Sequence, residues 1–239
     1  MPSGVSMRVG EDTAMPSCDC DRAMTVIALI VAVVGGYLLG SIPVAVMVGR
    51  RCGVDPRTVG DRNPGYWNTK ETLGARAALP VFVGDTVKGT LAGMTGLIAG
   101  HEIGGDLAGG ARTVVYLAVA AAMIGHAWPV FAGFVGGRSI LTFAGGLAVV
   151  SPPTFAVCVA LCVVVSVVGS FSTGARVGIF AVPLVQLGFD TWRWAAATFL
   201  LMSVIGLRFA MAAVTRSRSG GARGRSGGVG PAAPPTGGS

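Results

Sequence analysis

Apolar residues in this chain come in long runs, and polar residues gather between them. From Met24 to Gly49 no charged residue occurs. Further apolar runs cover residues 78–100, 113–131, 139–150, 153–170, 175–190 and 194–214. A helix rises about 1.5 Å per residue, so about 20 apolar residues cross the hydrocarbon core of a bilayer. The pattern predicts an all-α integral membrane protein with about seven transmembrane helices. The run at 139–150 is short for a span and is expected to be tilted, broken or re-entrant. Gly40-Ser41-Ile42-Pro43 should loosen or kink the second half of the first span.

The flanks differ from the runs. Residues 1–23 form a polar N-terminal tail, and residues 215–239 a basic tail rich in Gly, Ser and Pro. Both are expected to be disordered, because such composition cannot bury enough apolar surface to offset the entropy of ordering. Residues 24–214 then form one membrane domain.

Composition strengthens this picture. Hydrophobic residues make up 52% of the 239, and charged residues only 12%, about half the fraction of an ordinary soluble domain. The net charge of +7 is unevenly placed. Arg50, Arg51, Arg57 and Arg62 follow the first span, and Arg208, Arg216, Arg218, Arg223 and Arg225 lie near the C-terminus. Cytoplasmic loops carry such an excess of arginine and lysine. The loop at 101–112 holds Glu102, Asp106 and a single arginine, and is expected outside. Seven crossings then put the N-terminus outside and the C-terminus in the cytoplasm. For the basic tail, contact with anionic lipid is the simpler reading, and no nucleic-acid partner is expected. Cys18 and Cys20 alone make a poor metal site, and Cys52, Cys158 and Cys162 form no framework. Neither a metal, a required disulfide nor any other cofactor is expected.

Two polar clusters interrupt the apolar sequence. Gly60-Asp61-Arg62-Asn63-Pro64-Gly65-Tyr66-Trp67-Asn68 is the first, and residues 125–142 hold the second, from Gly125-His126-Ala127-Trp128-Pro129 to Gly136-Gly137-Arg138. Lipid offers no partner to open backbone, so such loops must lie in water or line a polar cavity. Arginines, amides and open glycine backbone together suit a phosphate-bearing ligand. No Gly-x-x-x-x-Gly-Lys-Ser/Thr run occurs, so a nucleotide P-loop is not expected. The orientation places both clusters on the cytoplasmic side.

Asp85 and Lys88 lie inside an apolar run, three residues apart and so on one helix face. They read either as a structural ion pair or, for Lys88, as a cation aimed into a polar cavity, the usual reading of an intramembrane charge. His101 and Asp106 show a His-x-x-x-x-Asp spacing known from another class of glycerolipid acyltransferases. They fall in the expected external loop, away from both basic clusters, and are set aside.

These motifs, in this order, resemble the bacterial acyl-phosphate-dependent glycerol-3-phosphate acyltransferases, the PlsY family. Tyr37-Leu38-Leu39-Gly40-Ser41-Ile42-Pro43 is similar to the family's first-helix signature. Asn63, Gly65 and Asn68, followed by Thr72-Leu73-Gly74, match its first loop motif. Asp85-Thr86-Val87-Lys88-Gly89 matches its Asp-x-x-Lys-Gly, and residues 125–131 with Gly136-Gly137 match its second loop motif. The resemblance runs from about residue 24 to residue 214. It implies a seven-span protein of the bacterial plasma membrane whose active site faces the cytoplasm. The implied reaction moves an acyl chain from acyl phosphate to glycerol 3-phosphate, giving lysophosphatidic acid for phospholipid synthesis.

On the matched positions, His126, Lys88 and Asn63 are the implied catalytic residues. Ser41, Arg50, Arg62, Gly65, Asn68, Gly136, Gly137 and Arg138 are the implied substrate-binding residues. Against the family pattern, Asp61 and Arg62 stand for Ser-Gly, and Tyr66 and Trp67 for Ala-Thr. Val135, Arg138 and Ser139 stand for Lys, Lys and Gly, and Phe209 follows Arg208 where the third motif has histidine. Two other readings stay open: a non-catalytic relative that binds anionic lipid or scaffolds a membrane complex, and an acyltransferase with a different acceptor.

Overall fold

The computed structural model of the chain describes residues 17–103 and 110–226. The expected Asp106, most of the expected N-terminal tail, and the C-terminal residues from 227 onward lie outside them. Among the described residues every regular element is helical. In chain order these are α1 (Ser17–Gly40), α2 (Val44–Arg51), α3 (Tyr66–Leu73), α4 (Ala75–Ile103), α5 (Ala111–Ala127), a single 3₁₀ turn (Val130–Ala132), α6 (Ile140–Val150), α7 (Pro152–Val168), α8 (Phe171–Gln186) and α9 (Trp192–Ser226).

The seven apolar runs each correspond to helix, with α1 and α2 sharing the first. Among the described residues three stretches are long and apolar enough to cross a membrane: Arg22–Arg51, Ala111–Ala132 and Trp192–Thr215. α6, with 11 residues, is about 16 Å long at 1.5 Å per residue, roughly half a hydrocarbon core. Helix extends beyond the expected domain limits at both ends, starting at Ser17 and continuing to Ser226.

The loosened first span is a clean break. α1 ends at Gly40 and α2 starts at Val44, with Pro43 as its N-cap. Pro43 lacks an N–H, so the helix ladder cannot run through it. α3 lies within the stretch expected to be a loop. Its N-cap Gly65 is extended, and the Thr69 hydroxyl donates to the Gly65 carbonyl at 3.0 Å. The tyrosine ring of its first turn sits edge-on to Phe82 of α4 and Phe171 of α8, with centroids 5.5 and 6.4 Å away. Tertiary aromatic packing thus orders a segment with little helical periodicity of its own.

α1 and α5 run parallel and nearly touch. A Cβ at Gly36 would strike the Ala118 backbone, one at Gly40 the Ala122 backbone, and one at Gly125 the Tyr37 carbonyl. Small residues permit this approach, the usual means of helix association in lipid. Between α5, α6 and α9 the core is larger, with Val119, Met123, Phe143, Leu147, Leu201 and Ile205 buried together. Ile30, Val164, Phe180, Leu184, Phe199 and Leu200 are exposed on the outside, as a lipid-facing surface requires.

At the end of the bundle where α4 stops, a second polar group locks the helix ends. Arg112 donates to both oxygens of Asp190 at 2.6 Å each, and to the Val150 carbonyl at 3.2 Å. Ser151 and Gln186 each add a hydrogen bond to Asp190 at 3.0 Å. The Arg112 fork, followed by Ser151 and Gln186, holds the Asp190 carboxyl below its usual range.

Candidate active site

The break between α1 and α2 opens a cleft. Ile42, Pro43, Lys88, His126, Gly136 and Gly137 line it, with Asp85 and Pro64 beside them. Four of the expected site residues, Lys88, His126, Gly136 and Gly137, therefore meet in one place, from three separated parts of the chain.

Lys88 is 4% exposed and Asp85 2%. The Lys88 ammonium is 2.9 Å from Asp85 Oδ1 and donates to the Ile42 carbonyl at 3.1 Å. That carbonyl belongs to the helix break, where it also accepts from Val44 N–H at 3.1 Å, and the lysine is its second donor. Asp85 Oδ1 also lies 3.6 Å from His126 Nδ1. One buried carboxylate thus sits between a cation and an imidazole. The ion pair expected from the Asp85-Lys88 spacing is present, and Lys88 is among the residues that line the cleft.

The second loop returns against His126. Gly137 N–H donates to the His126 carbonyl at 3.1 Å, so that amide is not offered to a ligand in this conformation. A Cβ at Gly137 would collide with His126 Nε2, and one at Gly136 with the His126 carbonyl. Glycine is required at both places by close approach. Arg208 of α9 fixes this turn from the other side, donating from Nε to the Gly137 carbonyl at 3.0 Å and from an amino group to the Gly136 carbonyl at 2.6 Å. The Arg208 guanidinium also lies over the Trp128 ring at 5.3 Å. Arg208 thus holds the turn that lines the cleft, a contact that its place in the sequence as a charge and a motif remnant does not specify. A signal was present, because it is an ionisable residue inside an apolar run, as Lys88 is.

The first loop is held by Asn68, which is buried. Its Nδ2 donates to the Pro56 and Val59 carbonyls at 2.7 and 3.2 Å, and its Oδ1 accepts from Asp61 N–H at 3.1 Å. All of these contacts are within the loop. Gly60 at φ 58° lies against the Asn68 amide, where a side chain would clash. Asp61 Oδ1 accepts from Asn63 N–H at 3.0 Å, closing an Asx turn. Asn63 is half-buried and its amide packs on Gly65, the α3 N-cap.

The remaining expected residues are more dispersed. Ser41 is fully buried at the break, and among the described residues its Oγ has no hydrogen bond. Arg50 and Arg62 are exposed and line no part of the cleft. Arg138 is half-buried, paired with Asp61 Oδ2 at 2.9 Å and stacked on Phe209 at 4.4 Å. Arg57 makes a second tie between the loops. Its guanidinium grips Asp55 and donates to the Ala132 carbonyl at 3.0 Å. Those hydrogen bonds hold the Asp55 carboxyl down to about 2. His101 is exposed, and His126 lies at the opposite end of α5 from the α4–α5 connection.

Comparison with known proteins agrees with the geometry. The sequence profile of the family described as glycerol-3-phosphate acyltransferase matches residues 30–220. The glycerol-3-phosphate acyltransferase of Clostridioides difficile strain 630 is 36% identical over 168 residues, 69% of this chain and 79% of that protein. Its counterpart from Neisseria meningitidis serogroup C strain FAM18 is 36% identical over 176 residues, 72% and 86% of the two chains. The fold is similar to a crystal structure of PlsY (YgiH), an integral membrane glycerol 3-phosphate acyltransferase, in its glycerol 3-phosphate form. That match has a TM-score of 0.61 and 25% identity, covering 84% of this chain and 93% of the other. A lysophosphatidic acid form of the same protein matches with the same TM-score. Motif order, fold and sequence agree over nearly the whole membrane portion, and the chain belongs to the glycerol-3-phosphate acyltransferase family.

Proposed function

We propose that this protein transfers an acyl chain from acyl phosphate to the 1-hydroxyl of glycerol 3-phosphate, releasing lysophosphatidic acid and phosphate. The observation that carries this reading is the convergence of Lys88, His126 and the Gly136-Gly137 turn on one cleft at the break of the first span. The relatives' names and the two PlsY forms support the acceptor and product.

Acyl phosphate is already activated. The hydroxyl attacks its carbonyl carbon, the bond to the phosphate oxygen breaks, and the hydroxyl proton leaves with the released phosphate. Positioning and charge stabilisation then supply most of the rate. Lys88 and Arg138 hold phosphate groups, with Arg62 and Arg50 as the cationic approach to the acceptor side. His126, oriented by Asp85 at Nδ1, presents its other nitrogen toward the second loop and positions the substrate there. Asn63 and Ser41 contribute polar contacts to the acceptor, Gly65 and Asn68 keep the first loop in shape, and Gly136 and Gly137 let the second loop approach the imidazole. Seven crossings of the bacterial plasma membrane, with the N-terminus outside, put this cleft on the cytoplasmic side. The basic residues that follow α2 favour that orientation.

The test is lysophosphatidic acid formation by purified protein supplied with acyl phosphate and glycerol 3-phosphate. No product, beside an active relative under the same conditions, removes the proposal. A different acceptor is favoured by one observation, the Tyr66 and Trp67 rings that stand against Phe171 at the first loop. Profiling several hydroxyl acceptors separates the two.

A further inference from the structure

The two loops that border the cleft are joined by an ion pair. Gly137 and Pro64 line the cleft itself. Arg138, the next residue after Gly137, pairs with Asp61 of the Pro64 loop at 2.9 Å. The side chains are 13% and 26% exposed. Arg138 stacks on Phe209, and among the described residues its Nε makes no hydrogen bond although it is buried. The guanidinium is therefore held in place with donor capacity to spare.

Asp61 is equally well placed. Its backbone N–H is anchored by Asn68, and its Oδ1 closes the turn onto Asn63 N–H. Its Oδ2 faces Arg138 at 2.9 Å. The two oxygens have separate tasks, one building the loop and the other facing the arginine. A carboxylate and a phosphate engage a guanidinium in the same way, through oxygens matched to its fork.

We propose that Asp61 is a built-in competitor for the phosphate site of Arg138: its carboxylate occupies the guanidinium in the unliganded protein, and a substrate phosphate binds there by displacing it. This rests on the acyltransfer reading given above, and adds to it a residue that sets affinity and selectivity. A tethered group competes at an effective concentration of about millimolar. Singly charged carboxylate metabolites then gain little from Arg138, whereas a phosphate dianion, with more charge and more acceptor oxygens, displaces the side chain. Selectivity comes from a penalty laid on the weaker ligand. Opening the pair also removes one of the two ties between the loops, while the Arg57 contact to the Ala132 carbonyl stays in place.

The experiment uses the full chain in detergent. Asp61→Asn keeps an oxygen for the Asn63 turn and removes the charge that faces Arg138. KM for glycerol 3-phosphate and for acyl phosphate, and the inhibition constant of inorganic phosphate, are measured in wild type and in Asp61→Asn. Both are then repeated in an Arg138→Ala background. The expected result is a fall of about threefold or more in the inhibition constant and in one of the two KM values, the scale of a partly exposed ion pair. That gain must vanish when Arg138 is alanine. Unchanged constants, or the same gain in both backgrounds, overturn the proposal. So does weaker binding together with a lower melting temperature in Asp61→Asn, which marks a purely structural aspartate. If the wild type makes no lysophosphatidic acid, the acyltransfer reading fails by itself. Calorimetric titration with inorganic phosphate then decides this one: tighter binding by Asp61→Asn than by wild type supports it, and equal or weaker binding overturns it.

Discussion

The ammonium of Lys88 lies 3.1 Å from the main-chain oxygen of Ile42, joining the middle of α4 to the break between α1 and α2. The same ammonium is 2.9 Å from Asp85. One lysine thus neutralises a buried carboxylate, ties down a carbonyl of the helix break and lines the cleft. Lys88→Met removes all three. Breaking a buried pair leaves an uncompensated charge and costs about 3–5 kcal/mol. The variant is expected to melt well below wild type and to lose acyltransfer. Adding Asp85→Asn should restore much of the melting temperature while activity stays absent. Thermal unfolding beside product formation checks both parts, and recovery of activity in the double variant would contradict the role given to Lys88.

Arg208 holds the Gly136 and Gly137 carbonyls. Hydrogen bonds from a charged donor are worth about 1.5–3 kcal/mol each. Arg208→Met should lower kcat/KM by roughly one to two orders of magnitude if even part of that keeps the turn in place. Arg208→Lys should recover only a fraction, because an ammonium cannot serve two carbonyls with a planar fork. Steady-state kinetics on the three proteins test the order wild type, lysine, methionine. Equal rates would place Arg208 outside the site's support.

Asn68→Asp presents a carboxylate to the Pro56 and Val59 carbonyls, which now accept from its amide. Two acceptors then face an acceptor, and each orphaned buried group costs about 1–3 kcal/mol. The first loop should become sensitive to limited proteolysis between residues 52 and 65, with α5 and α9 intact. Resistance equal to wild type would show that the loop does not depend on this amide.

The Arg112 fork keeps Asp190 ionised to lower pH than a free aspartate. A depressed carboxyl contributes stability that is fully present above the unfolded value of about 3.9 and is lost as pH falls through the lower folded value. Wild type should therefore exceed Asp190→Asn in melting temperature at pH 6. The gap should narrow progressively below about pH 4. A gap independent of pH would assign the effect to packing around Asp190 and not to its charge.

Cys52 is exposed just after α2. With the proposed orientation, a membrane-impermeant maleimide should label it in inverted vesicles and not in intact cells. The comparison uses a Cys18→Ser, Cys20→Ser background, so that Cys52 is the accessible thiol under observation. Labelling from outside would reverse the orientation and move the cleft to the other membrane face.

The bundle was largely legible in the sequence, because lipid leaves few alternatives for an apolar run. The break at Gly40–Pro43 was legible too, since proline interrupts a helix wherever it falls. α3 was not, because its order comes from Tyr66 packing on Phe82 and Phe171, contacts between distant segments that no local period encodes. Charge and motif single out Lys88 and His126, and the fold brings both to the cleft. The pairing of Asp61 with Arg138, and of Arg208 with the Gly136-Gly137 turn, depends on which residues of two loops and α9 come to face each other, and spacing along the chain says nothing of that. Arg50 and Arg62 show the converse, since a basic loop residue looks the same whether it lines a cleft or faces water.

Most polar groups around the cleft already have partners: the Ile42 carbonyl on Lys88, the Gly136 and Gly137 carbonyls on Arg208, the Asn68 amide on its own loop. Assembly of this framework is thus completed once, when the chain folds, and is not repeated with each round of catalysis. Apart from the release of Asp61 from Arg138, an arriving molecule meets dipoles that are already oriented, so little further reorganisation energy stands between encounter and reaction.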